Sequence, residues 1–146
     1  MKMMITRLLL LALVVSTTKA GILPPKQHVH ITQDLGPDVN LMVHCKSKDD
    51  DLGVHYLGFR QEYEISFRLT FWGKTLFFCG FNGFDGKLEY FDIYKVKRDG
   101  ECGNLHCRWL IKHDGPCRFN AETGQYDICF PWNPPAAAME ASTTFD

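Results

Sequence analysis

Six cysteines, six histidines, a run of three aspartates and three tryptophans carry most of the chemistry that this chain of 146 residues can offer. The cysteines are Cys45, Cys79, Cys102, Cys107, Cys117 and Cys129, and paired thiols either close disulfides or hold zinc. Cys102 and Cys107 flank His106, which hints at metal, but the spacing is C-x4-C and no matching second pair follows. His28 and His30 alternate along one strand face and would make an imidazole triad with His44; the simpler reading is exposed polar positions on strands. Asp49, Asp50 and Asp51 are calcium-type ligands, yet Lys46 and Lys48 flank them and no D-x-D-x-D-G loop is present. A solvated loop that touches a partner fits better, with Lys46 and Asp50 making local ion pairs worth little. Catalytic signatures are absent: there is no G-x-S-x-G and no H-E-x-x-H, and Ser47, Ser66 and Ser142 fall in a charged loop, a strand and the tail. Oxidised cysteines supply no thiolate nucleophile. Trp72, Trp109 and Trp132 could stack on a sugar, but Trp109 alternates with Cys107 and Ile111 and reads as core, with Trp132 closing an end.

The elements that position these residues begin after a leader. Lys2 and Arg7 precede an apolar run from Leu8 to Val15, and Thr18-Lys19-Ala20 offers a cleavage site. Eight apolar residues are too few to span a bilayer, which takes about twenty, so residues 1–20 read as a secretory signal peptide. The 146-residue chain less those 20 leaves 126 residues, with 13 of the 16 basic residues against 17 acidic, a net charge of about −4. That balance excludes nucleic acid and anionic membrane as partners. One domain of this length buries a real core. In an oxidising compartment six cysteines predict three disulfides.

Residues 21–27 form a short Pro-containing lead. Beyond it the chain alternates as strands do. HVHIT sets Val29 and Ile31 against His28, His30 and Thr32, and NLMVHC turns Leu41, Val43 and Cys45 inward with Met42 and His44 outward. QEYEISFRL alternates most clearly. TLFFCGF, apolar on both faces, and LEYFDIYKV follow on either side of the turn cluster at residues 82–86, and CRWLIKH comes after a polar loop. Turn signals every 8–12 residues predict an all-β fold, a small antiparallel two-sheet sandwich of about seven or eight strands stapled by disulfides. Residues 133–146 carry no periodicity and read as a disordered tail.

One disulfide follows from the sequence. CRFNAETGQYDIC carries a hairpin signal at Glu122-Thr123-Gly124 with Gly124 in the left-handed position, and that register sets Cys117 opposite Cys129. The remaining four pair among themselves in an order the spacing leaves open. Cys102 with Cys107 is disfavoured against pairing of either with Cys45 or Cys79, because Cys45, Cys79 and Cys107 share inward strand positions while Cys102 lies in a loop. Each bridge in such a domain contributes about 2–4 kcal/mol.

These residues resemble the plant self-incompatibility protein family, the S-protein homologues. The matching motifs are HVHITQDLG, LMVHCKSKDDDLGVH, QEYEISFR, FWGKTLFFC, FDIYKVKRD, CRW, and DGPCRFN followed by GQYDICFPW, in order from His28 to Trp132. The resemblance implies small secreted plant proteins, disulfide-bonded antiparallel sandwiches without known catalytic activity, whose founding members act as stigma ligands on a pollen receptor. It also implies a common set of four cysteines at Cys45, Cys79, Cys102 and Cys107, with Cys117 and Cys129 found in a subset. HYLGFRQEY lacks the Pro-Gly that often precedes QEY in the family.

The function expected is therefore that of a secreted, non-enzymatic ligand without cofactor or metal, in the apoplast, binding the ectodomain of a membrane receptor. The candidate contact loops are residues 46–53, 82–86 and 97–104, with Lys46, Lys48, Asp49, Asp50, Asp51, Asn82, Asp85, Lys97, Arg98 and Asp99 as contact residues; loops on a rigid scaffold are the usual place for recognition. An apoplastic defence or carbohydrate-binding protein is the alternative. A secreted hydrolase is a third class, and it would need turnover lost on a single substitution.

Overall fold

Wherever apolar residues alternate along the chain a strand forms, and the apolar faces of those strands close on one another in two sheets. The computed structural model describes residues 23–70, 74–100 and 102–135, the Phe84 side chain excepted. Residues 1–20, read as a leader, the first two residues of the expected lead, Phe71, Trp72 and the expected tail from 136 lie outside the described residues.

In chain order the strands are β1 (Lys26–Gln33), β2 (Leu41–Lys46), β3 (Asp51–Leu57), β4 (Glu62–Arg68), β5 (Leu76–Phe84) and β6 (Lys87–Lys95). A single helical turn, α1 (Val96–Asp99), and a 3-10 turn (Gly103–Leu105) lead to β7 (His106–Lys112), β8 (Gly115–Asn120) and β9 (Gln125–Cys129). One sheet has the order β4-β1-β7-β8-β9 and the other β3-β2-β5-β6. The two-sheet sandwich expected from the pattern is present, with two differences. β3 begins inside the stretch 46–53 read as a loop: Leu52, Val54 and Tyr56 alternate with Asp51, Gly53 and His55, but this edge strand leaves Val54 and Tyr56 exposed. β1 and β7 pair in parallel, in contrast to the other strand pairs described. β1 also starts at Lys26, so Gln27, assigned to the lead, is fully buried.

The core holds the inward residues the alternation names, Val29 and Ile31 with Leu41 and Val43, joined by Phe77 and Phe81 of β5, with Trp109 at the centre and fully buried. A register shift in the β5–β6 pairing sets two residues of β6 opposite one of β5, and Ile93 and Tyr94 both turn inward as a result. Trp132 closes one end, its ring 5.3 Å from that of Phe81 and its Nε1 donating to the His113 carbonyl at 3.0 Å.

Three disulfides staple this frame. Cys117–Cys129 joins β8 to β9 in the register read from the sequence. Cys45–Cys79 joins directly facing residues of β2 and β5. The third is Cys102–Cys107, the pairing the sequence disfavours. The 3-10 turn between them, with Asn104 and Leu105 both at positive φ, folds the chain back until their Cα atoms are 5.0 Å apart. A loop cysteine thereby reaches the inward position that opens β7.

Gly115, at φ +138, lies where a Cβ would run into the Phe130 carbonyl oxygen. Neither backbone can yield, since Phe130 N donates to the Pro116 carbonyl at 3.0 Å. Gly115→Ala is expected to cost about 2 kcal/mol or more, read as a drop in the urea midpoint with the three disulfides intact.

Candidate functional site

Register decides which of the candidate loops lie together. β2 ends at Lys46 beside Phe78 of β5, and β6 ends at Lys95 beside Leu76. The β2–β3 hairpin, the segment approaching β5 and the α1 turn therefore share one end of the sandwich. The Asp85–Gly86 turn, at the far end of β5, belongs to the other. Asn82 is an exposed strand residue of β5 rather than part of that turn.

The hairpin is pinned from within. Ser47 N donates to the Asp50 carbonyl at 2.8 Å, and Asp50 N donates to Ser47 Oγ at 3.1 Å. Asp51 Oδ1 accepts from Gly53 N at 2.9 Å and lies 2.6 Å from His44 Nε2, while Lys46 Nζ stands 3.7 Å from Oδ2. The Gly53 amide, and then His44, hold the Asp51 carboxyl below the usual carboxylate range. Asp51 thus ties the hairpin's own strands together, and the ion pair predicted between Lys46 and Asp50 is made to Asp51 instead. Lys48, Asp49 and Asp50 remain exposed, and among the described residues neither the Asp49 nor the Asp50 carboxylate has a hydrogen-bond or ion-pair partner.

Beside the hairpin lies a groove of about 820 Å³. Its apolar side is Phe67, Leu76, Phe77 and Phe78, and Lys48, Arg68 and Lys74 bring cations to it. Alternation makes these aromatics legible as strand residues. That β4 and β5 meet beside the hairpin is a long-range fact, and the sequence carries no signal for it. A second hollow of about 670 Å³ at the opposite end is walled by Asp34 and Lys112, 3.7 Å apart, and by the Cys117–Cys129 bridge.

The third candidate loop is largely structural. Asp99 is buried, with no side-chain exposure. Arg118 Nη1 donates to its Oδ1 at 2.5 Å, Arg98 donates from Nε at 2.9 Å and Nη2 at 2.8 Å, and the Lys95 amide donates at 2.8 Å. The Arg98 guanidinium also lies over the rings of Phe91, Trp109 and Phe130, at 4.8, 5.0 and 5.1 Å. Arg98 and Asp99, read from the sequence as contact residues, are withdrawn into the frame because Arg118 arrives from β8 to complete their charge. Lys97 alone of the three points to solvent.

The histidines divide between the sheets. His44 sits on β2 with Asp51. His28 and His30 meet His106 instead, on the outer face of the five-stranded sheet, and His30 is buried rather than exposed. His106, weighed from the sequence only as a metal ligand between Cys102 and Cys107, joins His28 and His30 through a parallel pairing across 76 residues that the sequence does not signal. Among the described residues no three imidazole, carboxylate or thiolate groups are placed to hold a metal ion. Of the tryptophans weighed for sugar stacking, Trp109 is sealed in the core and Trp132 is packed on Phe81.

Comparison with known proteins points one way. The sequence profile of plant self-incompatibility protein S1 matches residues 28–132. S-protein homolog 2 of Arabidopsis thaliana is 44% identical over 122 residues, covering 81% of this chain and 75% of its own length. S-protein homolog 5 of the same plant is 50% identical over 93 residues, covering 63% and 67%. Among solved structures, an SPH (self-incompatibility protein homologue) protein superposes with a TM-score of 0.56 at 20% identity over 76% of this chain and 97% of its own. It is described as one of a widespread family of small, highly stable, secreted proteins from plants.

The two kinds of aspartate at this end of the molecule separate in stability. Asp99→Asn leaves two part-buried guanidinium groups short of their buried countercharge and is expected to cost about 3 kcal/mol. Asp49→Asn is expected to change stability by less than about 0.5 kcal/mol. Urea unfolding of both variants against the wild type checks the contrast.

Proposed function

The chain belongs to the plant self-incompatibility protein S1 family, and on that footing we propose that it is a secreted, non-enzymatic ligand that binds the ectodomain of a cell-surface receptor with the hairpin end of its sandwich. One observation carries the reading: a pinned turn holds the Asp49 and Asp50 carboxylates in solvent, unpartnered, beside an apolar groove. Preorganised charges next to apolar area are what a binding surface needs, since neither group must be ordered at the moment of contact. The leader-like residues 1–20 and the description of the solved relative as secreted support an extracellular setting.

The roles within the site follow from what each side chain already does. Asp49 and Asp50 are free to pair with cations of the partner, and Phe67, Leu76 and Phe78 offer the apolar contact. Asp51, His44 and Lys46 hold the turn in shape. Asp85, on the opposite end, has no place in this site.

Saturable binding of labelled mature protein to intact cells of the tissue that expresses it tests the assignment. Asp49→Asn with Asp50→Asn is expected to weaken binding about tenfold, which is about 1.4 kcal/mol, at unchanged urea stability. Unchanged binding by a folded double variant removes the hairpin from the site. Binding that glycosidase treatment of the cell surface abolishes while the double variant binds normally would favour a carbohydrate-binding protein.

A further inference from the structure

The outer face of the five-stranded sheet carries a cluster that the receptor reading does not use. His28 faces His106 and His30 faces Arg108 across the parallel β1–β7 pair, while Ser66 and Glu64 of β4 face His28 and His30 on the other side. The three imidazoles lie close together with their planes within 28° of parallel. Ring centroids lie 4.6 Å apart for His28 and His106, 5.1 Å for His30 and His106, and 6.5 Å for His28 and His30. His28 Nδ1 is anchored 2.6 Å from Glu64 Oε1 and 2.9 Å from Ser66 Oγ. His30 is 6% exposed, and its Nε2 lies 2.8 Å from His106 Nδ1. Its Nδ1 stands 3.1 Å from Glu62 Oε2 but is out of line for a hydrogen bond.

An imidazole N–H donates only to a nitrogen that bears no hydrogen. At 2.8 Å, then, the facing nitrogens of His30 and His106 hold one proton between them. If both rings became imidazolium, two N–H groups would point at each other at that distance, with a third imidazole beside them. We propose that the His30–His106 contact is a one-proton lock, and that the outer face of the sheet is an acid-sensitive element which parts when a second proton is forced onto the pair.

The charged groups around the lock agree with this. Glu64 and Glu62 of β4 stand against His28 and His30, so charge on those rings has a carboxylate to meet it. His106 has Arg108 on its own strand and the two histidines of β1 against it, with Glu64 acting in the opposite sense. Burial first, then His28, His30 and Arg108, hold the His106 imidazole below its ordinary range. The folded chain therefore binds fewer protons there than the unfolded chain, whose histidine titrates near 6.5. Stability from this source is present in full above about 6.5 and drains away as pH falls toward the folded value. Glu64 and Asp51, whose carboxyls are held low, lose their contributions only further into acid. As pH falls, the histidine window opens first.

Long-range proton–nitrogen NMR of the mature, disulfide-bonded protein between about pH 8 and pH 4.5 reads the lock directly, a range that brackets the imidazole titration. Through neutral pH a single proton is expected across His30 Nε2 and His106 Nδ1. His106 is expected to titrate below a free imidazole, with loss of the contact between the rings, and the urea midpoint is expected to fall over the same range. His106→Gln is expected to flatten that fall and to leave the carboxylate-range decline in place. Two protonated rings that keep their contact overturn the proposal, and so does a His106→Gln variant with the wild-type pH slope. If that variant does not fold, the wild-type tautomer and contact measurements decide alone.

Discussion

A carboxylate without solvent exposure sits where the two sheets and the α1 turn come together, and the rest of the frame depends on how it is satisfied. Asp99 takes four hydrogen bonds, from the Lys95 amide, from two nitrogens of Arg98 and from Arg118. A buried charge costs several kcal/mol unless paired and fully hydrogen-bonded, and here two guanidinium groups and an amide meet it. Arg98 is in turn sandwiched by aromatic rings from β6, β7 and the segment after β9, which lowers the cost of desolvating it. The result is a fixed crossover. β6 must end at Lys95, α1 must turn within four residues, and β7 must begin beside β1.

Neighbouring contacts use the same anchor. The Gly100 carbonyl accepts from Tyr94 Oη of β6 at 2.5 Å and from Gln27 Nε2 of β1 at 3.2 Å, so one residue after Asp99 the chain is bonded to both sheets. The Cys102–Cys107 bridge closes the same crossover two residues on. With β7 set down in parallel against β1, His106 lands opposite His28, and the histidine cluster follows from the crossover rather than from any local preference.

How much of this could be read depended on the range over which each feature is encoded. Strand faces are local, and Val29, Ile31, Leu41, Val43, Trp109 and Ile111 took the inward positions their alternation assigned. The Cys117–Cys129 pair was legible because a turn between two halves of one hairpin sets the register. Cys45–Cys79 obeys the same facing rule, but its strands are 34 residues apart and nothing local says that β2 and β5 are neighbours. Cys102–Cys107 was misread for the opposite reason: positive φ at Asn104 and Leu105, neither of them glycine, is unusual enough that a turn that tight is not predicted from its residues. Asp99 looked like a loop residue because it is polar and lies between strands. Only Arg118, 19 residues on, turns it into core.

The acidic run divides along the same line. Asp51 is part of the hairpin's internal bonding and Asp49 and Asp50 are not, so three identical letters make two free charges. Those two stand beside Lys48, Arg68 and Lys74 at the rim of one groove. Opposite charges gathered at one end of a small sandwich cancel beyond a screening length of about 8–10 Å at physiological salt. A partner approaching from further away meets little net field from this end and is not steered to it by charge. Selectivity there has to arise at contact, where each carboxylate and each ammonium is met singly and the apolar floor is covered or left wet. On the proposed receptor reading, discrimination among closely related partners rests on the placement of individual groups, which the pinned backbone between Ser47 and Asp50 keeps fixed.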